Sequence, residues 1–336
     1  MDALFLQLLN GLDKGAAYAL IAFGLTLVFG TLGVVNFAHG ALFMLGAFIA
    51  VSVNRLLSFP VQLPQEEGQL FAPTVPWAES VFGETGAMLV DYSIPLSVLV
   101  AIPIMLVIGI VIERGLIKHF YKRAHADQIL VTFGLAIVIA EIVKHMYGAS
   151  AQSTPAPQEY AAVARVGEWL GMAEWIVYPW WRLVFIAFAL VLIGAVFAFL
   201  QFTTFGMVVR AGMQDRETVG LLGINIQRRF TIVFGIAAVV AGLAGVMYTP
   251  IRPPHYSIGM DFLVLSFVVV VVGGMGSLGG AVLAGFLLGI LESLASMSVV
   301  KAIMPGLDQV IIYLVAVVIL LTLPRGLMGR RGVMED

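Results

Sequence analysis

Residues 202–230 read FTTFGMVVRAGMQDRETVGLLGINIQRRF. Six ionisable side chains, Arg210, Asp215, Arg216, Glu217, Arg228 and Arg229, fall within this stretch. Hydrocarbon would penalise each by about 2.5–3.5 kcal/mol at the centre of a span, so the stretch sits in water. The runs on either side, Leu183 to Leu200 and Thr231 to Tyr248, hold no Asp, Glu, Lys or Arg. A charged helical loop between two membrane spans follows, and its basic excess places it on the cytoplasmic side. The fold class is therefore an all-α integral membrane protein, a polytopic helical bundle with one cytoplasmic helical loop over 202–230.

Composition agrees. Of 336 residues 60% are hydrophobic and 11% charged, and the mean hydropathy is +1.01, whereas soluble chains carry roughly 25% charged residues. Such a chain needs lipid as its solvent. A net charge of −2 argues against nucleic acid, which asks for a basic face. The absence of cysteine removes disulfides, thiolate metal sites and thiol nucleophiles together and leaves the redox compartment open. Asp2, Asp13 and Lys14 bracket the first apolar run with no basic region ahead of it, so no cleaved signal is expected. Residues 3–12 read as a short amphipathic helix lying along the interface.

From Ala16 to Val53 the only strongly polar side chains are Asn36 and His39, over roughly 57 Å of helix at 1.5 Å per residue. This is nearly two crossings, with a break predicted between Gly33 and Gly40. Residues 55–92 and 148–182 read as external loops; the second, with Trp77, holds all five tryptophans within or beside the proposed outer face. Arg114, Lys118, Lys122 and Arg123 form an internal basic loop. Counting Phe262 to Val272 as a crossing gives about nine spans, within a range of eight to ten. The N-terminus is then outside and the C-terminus inside, and residues 1–336 form a single permease-like body. Small residues four apart, at Ala237, Ala241, Gly245 and at Ala281, Gly285, Gly289, predict close helix approach.

Glu217-Thr218-Val219, three residues and then Gly223 match the opening of the Glu-Ala-Ala-x-x-x-Gly loop signature of ABC importer permeases, and a glycine there suits a left-handed helix cap. Two more stretches point the same way: Val35-Asn36-Phe37-Ala38-His39-Gly40-Ala41, and Gly273-Gly274-Met275-Gly276-Ser277-Leu278-Gly279-Gly280. Through these three, in this order, the chain resembles over most of its length the permease subunits of branched-chain amino acid ABC importers, the LivH-like family. The Ile-x-Leu-Pro ending of the general signature is missing, and the 55–91 loop looks long for the family.

The resemblance implies half of a translocation path in a prokaryotic inner membrane, with a second permease subunit, two cytoplasmic ABC ATPases and an extracytoplasmic solute-binding protein as partners. It implies no enzyme and no cofactor in this chain: ATP would be bound by the ATPases, and no Gly-x-x-x-x-Gly-Lys-Ser/Thr phosphate loop occurs here. Arg210, Asp215, Glu217 and Gly223 are the candidate ATPase-coupling residues. Asn36, His39 and Gly40 are candidates for the path, with a structural role at the break as the competing reading. Gly273, Gly274, Gly276 and Gly279 read as a tight turn for helix packing or hinge motion, and no metal ligands are expected. Branched-chain amino acids are the expected cargo, with urea or short amides as the alternative. An ion-driven amino acid carrier is the alternative of a different class.

Overall fold

The computed structural model describes residues 2–64, 72–121, 123–169, 171, 173 and 175–329, and the side chains at 216 and 217 lie outside that description. Lys122, used above to assign an internal loop, falls outside the described residues. Helix α1 (Asp2–Leu32) leads through residues 33–38 to α2 (His39–Leu57). A small outer-loop unit follows, with β1 (Pro60–Gln62) antiparallel to β2 (Thr74–Pro76), then α3 (Trp77–Phe82) and α4 (Glu84–Asp91). Next come α5 (Ser93–Gly115), α6 (His125–Tyr147), α7 (Gln158–Ala161), β3 (Val163–Ala164), α8 (Val166–Trp169), β4 (Tyr178–Pro179) and α9 (Trp180–Phe202). The 202–230 loop supplies α10 (Thr204–Gln214) and α11 (Arg216–Leu221). The chain closes with α12 (Ile226–Tyr248), α13 (Ile258–Gly273), α14 (Leu278–Ala295), α15 (Ser298–Ile303) and α16 (Leu307–Thr322).

Among the described residues seven helices are long and apolar enough to cross a bilayer, and α13 and α16 are apolar but shorter, at 16 residues each. The short interfacial helix expected over residues 3–12 does not exist as a separate element. Asp2 to Leu32 is one helix, and its residues 15–28 are all buried. The reason lies in its neighbours. A Cβ on Gly11 would stand 2.6 Å from Cα of Ile290, and one on Gly15 2.8 Å from Cα of Phe286, so these glycines admit α14 instead of ending α1. Two of the charges that bracket the first apolar run are paired, Asp13 with Arg182 at 3.3 Å and Lys14 with Glu292 at 2.6 Å.

Helix α1 is the axis of the bundle, antiparallel to α14 and flanked by α12, α13 and α9. The small-residue runs admit neighbouring backbones as their spacing predicts: a Cβ on Gly285 would reach 2.7 Å from Cα of Ala19 on α1, and Gly245 lies against Phe43 and Ala47 on α2. At one end of the bundle Leu27, Val28, Leu32 and Val34 pack with Leu200, Val209, Phe230 and Val233 beside the 202–230 loop. At the far end Phe5, Leu6 and Leu9 pack beneath Ala164, Val166, Ile176 and Tyr178. The first turns of α1 therefore continue past the bundle and anchor the 148–182 segment.

Candidate functional site

Side-chain caps organise the 202–230 loop. Thr203 accepts from the Gly206 N–H at 3.2 Å, Asp215 from the Thr218 N–H at 3.0 Å and Asn225 from the Arg228 N–H at 3.0 Å. Each satisfies an N–H that a helix start leaves open, which is why the loop breaks into α10, α11 and the start of α12. Arg210 donates to the carbonyl of Leu200 and ties α10 to the end of α9. Asp215 also takes a hydrogen bond from the Thr218 hydroxyl. Gly223 follows α11 with φ +78°, its N–H bonded to Gly220 O at 3.0 Å. The left-handed cap expected there is present. What the loop presents outward was not foreseen: Leu221 is 88% and Leu222 73% exposed. Two adjacent leucines at a helix end carry no signal of exposure until the loop is built. Of Glu217 the backbone lies in α11, while its side chain lies outside the description.

The predicted break between the first two spans falls at residues 33–38. Gly33 has φ +68° and stops α1. Asn36 Oδ1 accepts from the Ala38 N–H at 3.0 Å, and the Phe37 N–H donates to Thr132 Oγ1 on α6 at 3.0 Å. Thr132 lies seven residues into α6, about 10 Å along it, so this extended backbone runs inside the bundle. Such backbone survives at membrane depth only when protein or water satisfies it. Sequence reasoning missed Thr132, whose only mark is a hydroxyl in an apolar span. Asn36 and His39 are fully buried, and Asn36 Nδ2 and both His39 ring nitrogens lack a hydrogen-bond partner among the described residues, as does Thr26 Oγ1. Buried polar atoms are nearly always partnered, so the break is left unsatisfied at Asn36 and His39, as are Asp13 Oδ1, Glu113 Oε2 and Thr154 Oγ1 elsewhere among the described residues. The His39 ring lies against α1, where a Cβ on Gly24 would come 2.6 Å from Nε2. Gly40 packs against Gly259 at the start of α13.

Gly273 to Gly280 forms the tight turn between α13 and α14. Gly274 and Gly276 take φ +101° and +84°, Ser277 caps α14 by accepting from the Gly280 N–H at 3.1 Å, and the backbone at Leu327 and Met328 bonds back to Val272 and Gly273. Gly273 is pressed against Gly280, whereas a Cβ on Gly279 would meet nothing nearer than Met328 Sδ at 3.8 Å.

A groove of about 370 Å³ runs between α2, α5 and α6, lined by residues such as Leu45, Phe48, Ile139 and Met146. Its polar rim, Ser52 and Tyr147, closes on itself through a 2.6 Å hydrogen bond. Among the described residues no group of three or more His, Cys, Asp or Glu stands close enough to hold a metal ion.

Helices of membrane length around a broken central segment, with a capped loop at one end, define a polytopic helical membrane protein. The family described as branched-chain amino acid transport system / permease component matches residues 7–320. The chain belongs to that family and is a multi-pass membrane protein, a transport permease subunit and not an enzyme. It is similar to the high-affinity branched-chain amino acid transport system permease protein BraD of Pseudomonas aeruginosa, 29% identical over 96% of this chain and 95% of that one. To LivH of Salmonella typhimurium, which carries the same description, it is 26% identical over the same shares. A probable branched-chain amino acid transport permease protein LivH of Methanocaldococcus jannaschii is 24% identical over 92% of this chain and 88% of that protein. No solved structure matches the chain.

Proposed function

We propose that this chain is one of two permease halves of an ATP-driven importer for branched-chain amino acids in a prokaryotic inner membrane. In this reading nine helices cross the bilayer, α13 and α16 included, with the N-terminus and the 55–92 and 148–182 segments outside. Two ATPases dock on the 202–230 loop and supply the ATP chemistry, and a solute-binding protein delivers cargo from the far side. Family membership and the names of BraD and LivH support the cargo.

The observation that carries the coupling role is the bare apolar tip at Leu221 and Leu222, held on a loop whose charges keep it in water. Two exposed leucines there call for a protein groove that covers them. Arg210 and Asp215 shape the loop, Glu217 belongs to α11, and Gly223 turns the chain back toward α12. Asn36 and His39, buried and unsatisfied, mark where the bundle has to part to open a path, with Gly40 letting α2 and α13 approach; the turn at Gly273, Gly274, Gly276 and Gly279 is where α13 and α14 pivot. Buried unpaired polar atoms raise the energy of the closed state and so narrow its gap to an open one.

The test is uptake in proteoliposomes holding the whole importer. Leucine uptake requires ATP inside and is lost in Leu221→Asp with Leu222→Asp, which still inserts but no longer co-purifies with the ATPase. Uptake that follows an imposed ion gradient and ignores both ATP and the double variant overturns the reading in favour of a secondary carrier.

A further inference from the structure

Lys14 is the point at which the central helix opens. Immediately after it, residues 15–28 are buried, yet the Lys14 side chain keeps 34% of its surface exposed and its partner Glu292 keeps 17%. Lys14 Nζ lies 2.6 Å from Glu292 Oε1, and the Tyr18 hydroxyl donates to Glu292 Oε2 at 2.5 Å. The trio spans α1 and α14 just where Gly15 and Gly289 let the two backbones touch.

Depth gives the pair its meaning. Gly30 lies against Gly276 at the loop end of the bundle, and Lys14 stands 16 residues back along α1, about 24 Å away. Against a hydrocarbon layer of about 30 Å, the pair falls in the outer part of that layer, away from the 202–230 loop. Partly open charges at such a level do not face acyl chains; they face water or a polar guest. As a structural staple the pair would contribute little, because desolvation offsets most of the attraction between two partly buried charges.

We propose that Lys14, Glu292 and Tyr18 form a receiving site for the zwitterionic head of an α-amino acid at the entrance of the path. The guest's carboxylate takes Lys14 and its ammonium takes the Glu292 carboxylate, which Tyr18 continues to hold through the second oxygen. One internal ion pair becomes two, and the net charge of the site stays at zero. Urea and short amides carry no such pair of opposite charges and cannot make the exchange, so the site selects amino acids over the neutral solutes. Tyr18 is itself held by the buried aromatic cluster of Phe262, Phe43 and Tyr248, its ring 6.2 Å from that of Phe262.

This inference rests on the importer reading, and its test separates the two. In the reconstituted importer, Lys14→Glu combined with Glu292→Lys keeps an ion pair between α1 and α14 but reverses its polarity, while Tyr18→Phe removes only the hydroxyl that orients Glu292. With ATP-driven leucine uptake established in the unaltered protein, the exchange variant raises the KM for leucine about tenfold, as expected when a charge-assisted contact is lost. Tyr18→Phe raises KM by about threefold, a neutral hydrogen bond. A KM within twofold of the unaltered protein in the exchange variant overturns the site; should that variant fail to assemble, an unchanged KM in Tyr18→Phe does so. Absence of ATP-driven uptake in the unaltered protein instead removes the importer reading.

Discussion

Gly223 and Thr132 each meet a demand that few residue types can meet at their position. Gly223 has a left-handed φ and open space around it, so the demand is on backbone conformation and not on volume. Gly223→Val therefore costs about 1–2 kcal/mol in the loop and weakens ATP-driven uptake, whereas Gly223→Asn, which visits that region more readily, keeps most of it. Equal uptake in the two variants would refute a conformational role. Thr132 holds the 33–38 backbone by accepting a partly buried hydrogen bond from the Phe37 N–H. Thr132→Val leaves that donor unpaired and destabilises the bundle by about 1–3 kcal/mol, seen as a lower unfolding temperature in detergent, while Thr132→Ser stays near the parent. Gly223 was legible in the sequence because a glycine after a polar helix has few other purposes. Thr132 was not, since its partner lies 95 residues away and contributes only a backbone N–H.

Among the elements, α1 and α14 share the most extensive seam, and their close approach rests on Gly11, Gly15, Gly285 and Gly289. Dispersion contacts and short backbone approach drive helix association in lipid, so a bulky residue at the seam separates the whole face. Gly289→Leu abolishes stable expression, while Leu283→Phe on the exposed side of α14 is tolerated; size-exclusion profiles in detergent distinguish them, and a normal profile for Gly289→Leu would refute the seam. The four-residue spacing on α14 was visible in sequence, but its partner helix was not. Residues 3–12 read as a separate interfacial helix bracketed by charges, because local composition does not state whether a glycine such as Gly11 ends a helix or admits a neighbour.

On the scale of the molecule, the fold separates two ends: the capped loop with its bare leucine tip, and the cap where the first turns of α1 hold residues 163–178. The chain has no cysteine, so single cysteines report on these ends without background. Leu222→Cys is expected to react with an impermeant maleimide only from the cytoplasmic side, and Trp175→Cys, at an exposed position, only from outside. Labelling of both from one side would break the proposed orientation.

The sequence alone determined that the chain is a helical membrane body, where its polar loops fall, that the first long apolar run breaks near Asn36, and which family it resembles. These are consequences of local hydropathy, charge and short motifs, which need no knowledge of neighbours. Only the tertiary structure decided that α1 is one helix at the centre, that Lys14 meets Glu292, and that Thr132 holds the broken segment. Those facts depend on residues as many as 278 positions apart, and in a chain of uniformly apolar helices no local pattern states which helix a given charge or glycine will face.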